Sequence, residues 1–221
     1  MKNKSNISDR SMNARRGKPS GLSVVDDFLW ESNAIEREYT KKAFEDAKKA
    51  WAFIKNKKKV TTEDVLEVHR ILLQRLRPDI AGQWRRCDVW IGGQLKRFIS
   101  VQLLVMRTAH VVVKMRQGDS QKDPEEFARE MHVAFEDIHP FEDGNGRTGR
   151  ILWQWHRKQL GLPIQIIHEG EEQMAYYEWF RQKLADVPEK PKRRKKAELL
   201  PTIDEAEVVV SEDETPLHSD E

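Results

Sequence analysis

Apolar residues recur at helical spacing through most of the middle of the chain. Phe44, Ala47, Trp51 and Ile54 follow Thr40 at steps of three and four, which places them on one face of a helix. Thr61-Thr62-Glu63-Asp64 reads as an N-terminal cap. It opens a second helix with Val65, Val68, Leu72 and Leu76 on one face, limited by Pro78. Val101 to Met115 predicts a third helix. Phe127, Met131, Ala134, Phe135 and Ile138 predict a fourth that runs directly into His139. Arg147, Arg150, Ile151, Leu152 and Trp155 fit a helix with a polar and an apolar face, broken by Gly161-Leu162-Pro163. Trp153 and Trp155 read as packing residues on it, and Glu171 to Leu184 predicts a last helix. Between these, Val89 to Ile91 and Arg97 to Ile99 are short strand-like runs around a Gly92-Gly93 turn. The expectation is a mainly α domain with one small β-hairpin.

The ends of the chain break this pattern. Met1 to Ser20 has six Lys/Arg against one Asp and no apolar period, which predicts a flexible basic arm over 1–20. Beyond Pro188 a basic run, Lys192-Arg193-Arg194-Lys195-Lys196, precedes eight Asp/Glu and no Lys/Arg from Pro201 to the end. Such blocks of opposite charge predict a solvated, disordered tail over 188–221. The domain proper is expected over 21–187. Net charge is only +2 although 34% of residues are charged, so nucleic acid is not indicated as a partner. Cys87 is the only cysteine, which excludes a disulfide framework and a cysteine-based zinc site within one chain and suits a reducing compartment. No apolar run approaches the ~18 residues that span a bilayer, and the N-terminus lacks the apolar core of a secretory signal. The chain reads as a soluble cytoplasmic protein with no membrane partner.

The chemistry concentrates in one string, His139-Pro140-Phe141-Glu142-Asp143-Gly144-Asn145-Gly146-Arg147-Thr148-Gly149-Arg150. Gly144-Asn145-Gly146 is a chain reversal whose glycines let backbone approach a ligand. Leading into a helix, it would aim unpaired N–H groups at one spot, where the dipole also favours an anion. Arg147 and Arg150 share a helix face and can grip phosphates bidentately. Asp143 is placed to hold a divalent cation, Mg²⁺ by its preference for few carboxylates plus phosphate oxygens. His139 is the side chain suited to taking a hydroxyl proton near neutral pH. Each residue alone has a plainer reading: a structural histidine, a turn or cap aspartate, solvated arginines, an ordinary turn. Together they read as base, metal ligand, anion hole and charge clamp, the set that transfer of a phosphorus group needs.

At these residues the chain resembles the Fic family, whose signature is His-Pro-Phe-x-Asp/Glu-Gly-Asn-Gly-Arg-x-x-Arg. The resemblance implies a Fic-type helical bundle with a small β-hairpin flap beside the active site. It also implies transfer of AMP from Mg-ATP to a Ser, Thr or Tyr hydroxyl of a target protein. His139 would deprotonate the hydroxyl, Phe141 would fix the loop and Asp143 would hold Mg²⁺. Gly144, Asn145 and Gly146 would form the anion hole, Arg147 would contact the phosphates and Arg150 the γ-phosphate. In the superfamily branch that phosphorylates its target, a lysine takes the place of Gly146, so the glycine favours AMP transfer.

Two further segments extend the likeness. Ser32-Asn33-Ala34-Ile35-Glu36, within about 31–37, resembles the family's inhibitory Ser/Thr-x-x-x-Glu-Gly/Asn, with Arg37 where the pattern has Gly or Asn. Its glutamate would pair with Arg150 and displace the γ-phosphate; the plainer reading is an exposed charge near a helix start. Ala81-Gly82-Gln83-Trp84-Arg85 and the hairpin of about 89–99 resemble the region that borders the site, where an extended segment of the target would pair with the flap. A tyrosine of Tyr176-Tyr177 is expected near the adenine. AMP removal or transfer of another phosphorus-containing group by the same site, and a non-catalytic interaction protein, stand as alternatives. A homodimer is left open.

Overall fold

The computed structural model describes residues 17–91 and 94–185. Most of the expected basic arm, the Gly92-Gly93 turn and the charged tail therefore lie outside the described residues. Seven helices and one two-stranded hairpin occur among the described residues.

Helix α1 (Val24–Ile35) starts at Ser23, whose hydroxyl accepts the Asp26 N–H. Helix α2 (Lys41–Ile54) is capped by Thr40 and α3 (Thr62–Leu73) by a reciprocal capping box between Thr61 and Asp64. The α3 helix stops at Leu73, short of the Pro78 expected to limit it. Residues after it bend back so that the Gly82 N–H reaches His69 Nδ1 on the same helix, at 3.0 Å.

Strands β1 (Val89–Ile91) and β2 (Gln94–Lys96) pair antiparallel, Val89 with Lys96, Trp90 with Leu95 and Ile91 with Gln94. The second strand thus lies ahead of the Arg97–Ile99 run expected from sequence. Asp88 explains the difference: its carboxylate accepts the Phe98 N–H at 2.7 Å and pairs with Arg97, which ties that run down outside the ladder. Helix α4 (Val101–Gln117) follows a Ser100 cap. Helix α5 (Pro124–Ile138) has Asp123 as its cap and a proline in its first turn, where no N–H is missed. Helix α6 (Asn145–Gln159) carries the second half of the motif, and α7 (Glu171–Ala185) closes the bundle.

The α6 helix is the centre of the domain, packed by α1, α2, α3 and α5. Ile151, Leu152, Trp153 and Trp155 are all fully buried on it. Each apolar side chain removed from water here stabilises the fold by roughly 1.5–3 kcal/mol or more. The Trp155 indole N–H donates to the Lys57 carbonyl at 2.9 Å, so its one polar atom is satisfied. Trp153 belongs instead to a second cluster with Ile35, Ala128, Ile167 and Tyr176, which anchors α7. No helix among the described residues is long and apolar enough to cross a membrane.

Candidate active site

Two helix ends meet at the motif. His139 terminates α5 in a left-handed conformation, φ 48°, ψ 64°. This is strained for a residue with a side chain and turns the ring out of the helix axis. Buried Arg85 holds that turn: its Nε donates to the His139 carbonyl at 2.7 Å and its backbone N–H to the Pro140 carbonyl at 2.9 Å. The same guanidinium reaches the Cys87 and Arg97 carbonyls at the base of the hairpin. The imidazole Nδ1 lies 3.2 Å from the Glu136 carbonyl, which fixes its proton there and leaves Nε2 with a free lone pair. Burial, reinforced by the Arg85 and Lys96 charges, lowers His139 to about 4. The ring is therefore a neutral base at neutral pH.

The loop after His139 is locked from inside. Phe141 is fully buried and stacks on His69 (centroids 3.9 Å apart) and Trp84 (5.4 Å). His69 Nδ1 accepts the Gly82 N–H, so Nε2 carries the ring proton and donates to the Asp143 carbonyl at 3.0 Å. Asn145 clamps Phe141 from both sides, its Oδ1 accepting the Phe141 N–H and its Nδ2 donating to the Phe141 carbonyl, each at 2.9 Å. The Asn145 side chain is thus committed to the loop, and only its backbone faces outward duty in the expected anion hole.

Gly144 caps α6 at φ 74°, and a Cβ there would collide with Leu73. No side chain caps this helix, so its first N–H groups are free to meet an anion. Arg147 lies buried beside them, with Nε and Nη1 lacking partners among the described residues and Nη2 3.9 Å from Asp143. Unpaired guanidinium donors at an uncapped helix start are chemically suited to an anion such as phosphate. The Asp143 carboxylate is half exposed and accepts the Gly144 N–H at 2.6 Å. An accessible carboxylate beside such donors fits Mg²⁺ carried in on a nucleotide.

Arg150 is 2% exposed, and its fork is filled by Ser32 and Glu36. Nε donates to Ser32 Oγ at 2.9 Å, and Nη2 to the Ser32 carbonyl at 2.8 Å and to Glu36 Oε1 at 2.7 Å. Glu36 sits at the end of α1, not near a helix start, and a Cβ on Gly146 would collide with its carboxylate. The residue after it, Arg37, has φ 59°. Its N–H closes the helix on the Ala34 carbonyl at 2.8 Å, a left-handed C-terminal turn that favours Gly or Asn. Arg37→Gly should therefore stabilise the domain. Relief of the strain, less the freedom glycine adds to the unfolded chain, is worth about 0.5–1 kcal/mol. A thermal melt should rise by about 2–3 °C; an unchanged or lower melting temperature would refute the strain.

Sequence reasoning did not single out His69 or Glu136, and quoted Arg85 only as part of a likeness. His69 had one visible signal, a titratable side chain inside the apolar stripe of Val65, Val68 and Leu72. Tyr176 is buried, with its hydroxyl 2.8 Å from His132 Nε2, while Tyr177 is half buried and accepts from Gln173.

Fold and site together define a helical domain that sets a neutral imidazole at one helix end against an anion-receptive start of the next. Residues 59–156 match the model of the Fic/DOC family. Among curated relatives, protein adenylyltransferase Fic of Drosophila grimshawi is 32% identical over 126 residues, 57% of this chain and 26% of the relative. The Aedes aegypti protein of the same name is 30% identical over 122 residues, 55% of this chain and 24% of the relative. The chain thus spans about a quarter of the length of these relatives. Two solved structures share the fold. Fic-1 of C. elegans (residues 134–508) has a TM-score of 0.60 at 21% identity, over 80% of this chain and 64% of that one. A Fic domain containing signaling protein from Bacteroides thetaiotaomicron has a TM-score of 0.59 at 19% identity, over 78% and 80%.

Proposed function

We propose that this chain is a protein adenylyltransferase held in check by its own Glu36. The observation that carries the reading is the convergence of three things: a neutral His139 with Nε2 free, an uncapped α6 start, and Arg150 closed by Glu36. The names of the curated relatives support the same chemistry.

In this reading ATP lies with its phosphates over the start of α6, and a target hydroxyl attacks the α-phosphorus in line. His139 Nε2 takes the hydroxyl proton as the new O–P bond forms and the bridging bond to the β-phosphate breaks, releasing pyrophosphate. Backbone N–H groups after Gly144 and the unpaired Arg147 donors take up the developing negative charge. Asp143 would hold Mg²⁺, which neutralises phosphate charge and orients the leaving group. Arg150 would hold the γ-phosphate once Glu36 withdraws. The target is proposed to pair with the free edge of the hairpin, where Trp90 is 68% exposed and offers an anchor. An exposed free thiol at Cys87 suits the cytoplasm, where we place the reaction.

The test is incubation with Mg-ATP labelled on the α-phosphate. Glu36→Gly should raise protein-bound label by roughly 5–150-fold, the usual range for removal of a competing contact. His139→Ala in that background should lower it by roughly 10²–10⁴-fold with the fold intact. Label that is absent from all three proteins, with γ-labelled ATP also blank, would overturn the proposal.

A further inference from the structure

Glu136 is a buried ionisable group beside the site whose carboxyl the mechanism above does not use. It lies on α5 one turn before His139, and its backbone carbonyl receives His139 Nδ1. Its side chain turns towards α6, into space that exists because residue 149 is glycine. A Cβ on Gly149 would collide with Glu136 Oε1. That oxygen is sealed from solvent and has no hydrogen-bond partner among the described residues. Next to it in electrostatic range is Arg150, and beyond that Glu36.

Two carboxyl groups therefore share one buried cation. Arginine stays charged in any protein environment, and a buried charge needs a counter-ion. Glu36 supplies it from the solvent side, since its side chain is 38% exposed. Glu136 stands on the buried side, where a second negative charge would be desolvated and opposed by the first.

We propose that Glu136 is a positioning residue of the nucleotide site. As a neutral acid it leaves the charge of Arg150 to the γ-phosphate. As a carboxylate it draws Arg150 inward and weakens the grip on the triphosphate. The inference rests on the reading of Arg150 as the γ-phosphate contact.

The surroundings fix the sign of the pH dependence. Burial pushes Glu136 up to about 8, Arg150 opposes that rise and Glu36 adds to it. From α7 the buried Tyr176 faces the group; on its own helix His132 and His139 are its titratable neighbours, and burial keeps both neutral near pH 7. The buried residues of α4 include no titratable group. Below the transition Glu136 is neutral and the triphosphate is held fully. Above it the carboxylate competes for Arg150. Removing Glu36 takes away one contribution to the rise, so in Glu36→Gly the transition moves down from 8 towards neutrality.

The experiment measures binding of an unreactive Mg-ATP analogue, with AMP as the control, between about pH 7 and pH 9.5. Glu36→Gly should lose affinity for the triphosphate by about tenfold across that range, within the span typical of such coupling. Glu36→Gly/Glu136→Gln should lose almost none, and AMP should bind Glu36→Gly without this pH dependence. Glu136→Met, an apolar side chain of similar length, is the second variant and should be equally flat. Parallel pH slopes with and without Glu136, or the same slope for AMP, would overturn the inference while leaving the proposed function standing. Nucleotide that binds no variant would sink the proposed function and this inference with it.

Discussion

The folded domain is expected to lose most of its stability between pH 6.5 and pH 4, through neutral histidines buried in its core. His69, His132 and His156 are fully buried, and burial lowers them from an ordinary 6.5 to about 4, about 3 and about 4. A base with a depressed value in the folded state gives stability that is complete above its unfolded value. That stability is lost as pH falls towards the folded one. A tenfold change in proton affinity is worth about 1.4 kcal/mol, so each ring accounts for roughly 3–5 kcal/mol. Together they match the whole of a typical folding free energy of about 5–15 kcal/mol.

Glu136 acts with the opposite sign. Raised from 4.5 to about 8, it favours folding at low pH and costs stability as pH climbs through 8. These three histidines, with His139 adding to them, outweigh one glutamate below 6.5, while the glutamate prevails above, so the melting temperature should peak near neutrality. His156 gives the cleanest test. Neither ring nitrogen has a hydrogen-bond partner among the described residues, and the ring packs edge-on against Phe127 at 5.2 Å. His156→Phe therefore removes a titrating group without orphaning a partner. Its acid unfolding midpoint should fall below that of the wild type, with little difference between the two at pH 8. An unchanged acid midpoint would remove His156 from the account.

How much of this was legible beforehand differs by residue, and the reasons are physical. The cap at Thr61, the helix running into His139 and the Gly161-Leu162-Pro163 break depend on local chemistry, and each stands where the sequence puts it. The pairing of Glu36 with Arg150, expected only through a family likeness, is present even though Arg37 departs from the pattern; the backbone accepts the strain instead. The hairpin was misplaced because β2 is set by cross-strand register and by Asp88, neither of which shows as periodicity. Glu136 stayed hidden for a related reason. Along α5 it is one polar position among the apolar ones, and only the missing side chain of Gly149, on the facing helix, reveals that it points inward. Periodicity identifies which face of a helix is buried, not what stands opposite it.

Asn145 is where that distinction has the largest consequence within the motif. A sequence reading gives it to the anion hole, yet its amide spans the loop and satisfies both backbone groups of Phe141. Asn145→Ala should leave a buried N–H and a buried C=O unpaired, at roughly 1–3 kcal/mol each. The melting temperature should fall by about 6–18 °C at about 3 °C per kcal/mol. The glycine turn, no longer braced, should also drift from His139, and a displacement of about 1 Å can cost ~10²-fold in rate. Asn145→Asp tests the same geometry differently. It keeps the acceptor for the Phe141 N–H but sets an anionic oxygen against the Phe141 carbonyl, beside the start of α6. Phosphate binding should suffer more in this variant than in Asn145→Ala. The measurement is a thermal melt paired with nucleotide binding for both variants. If Asn145→Ala lost binding with its melting temperature unchanged, the amide would be a ligand contact and the brace would be wrong. A fall in both places the residue inside the loop, holding the anion site in shape rather than touching the anion.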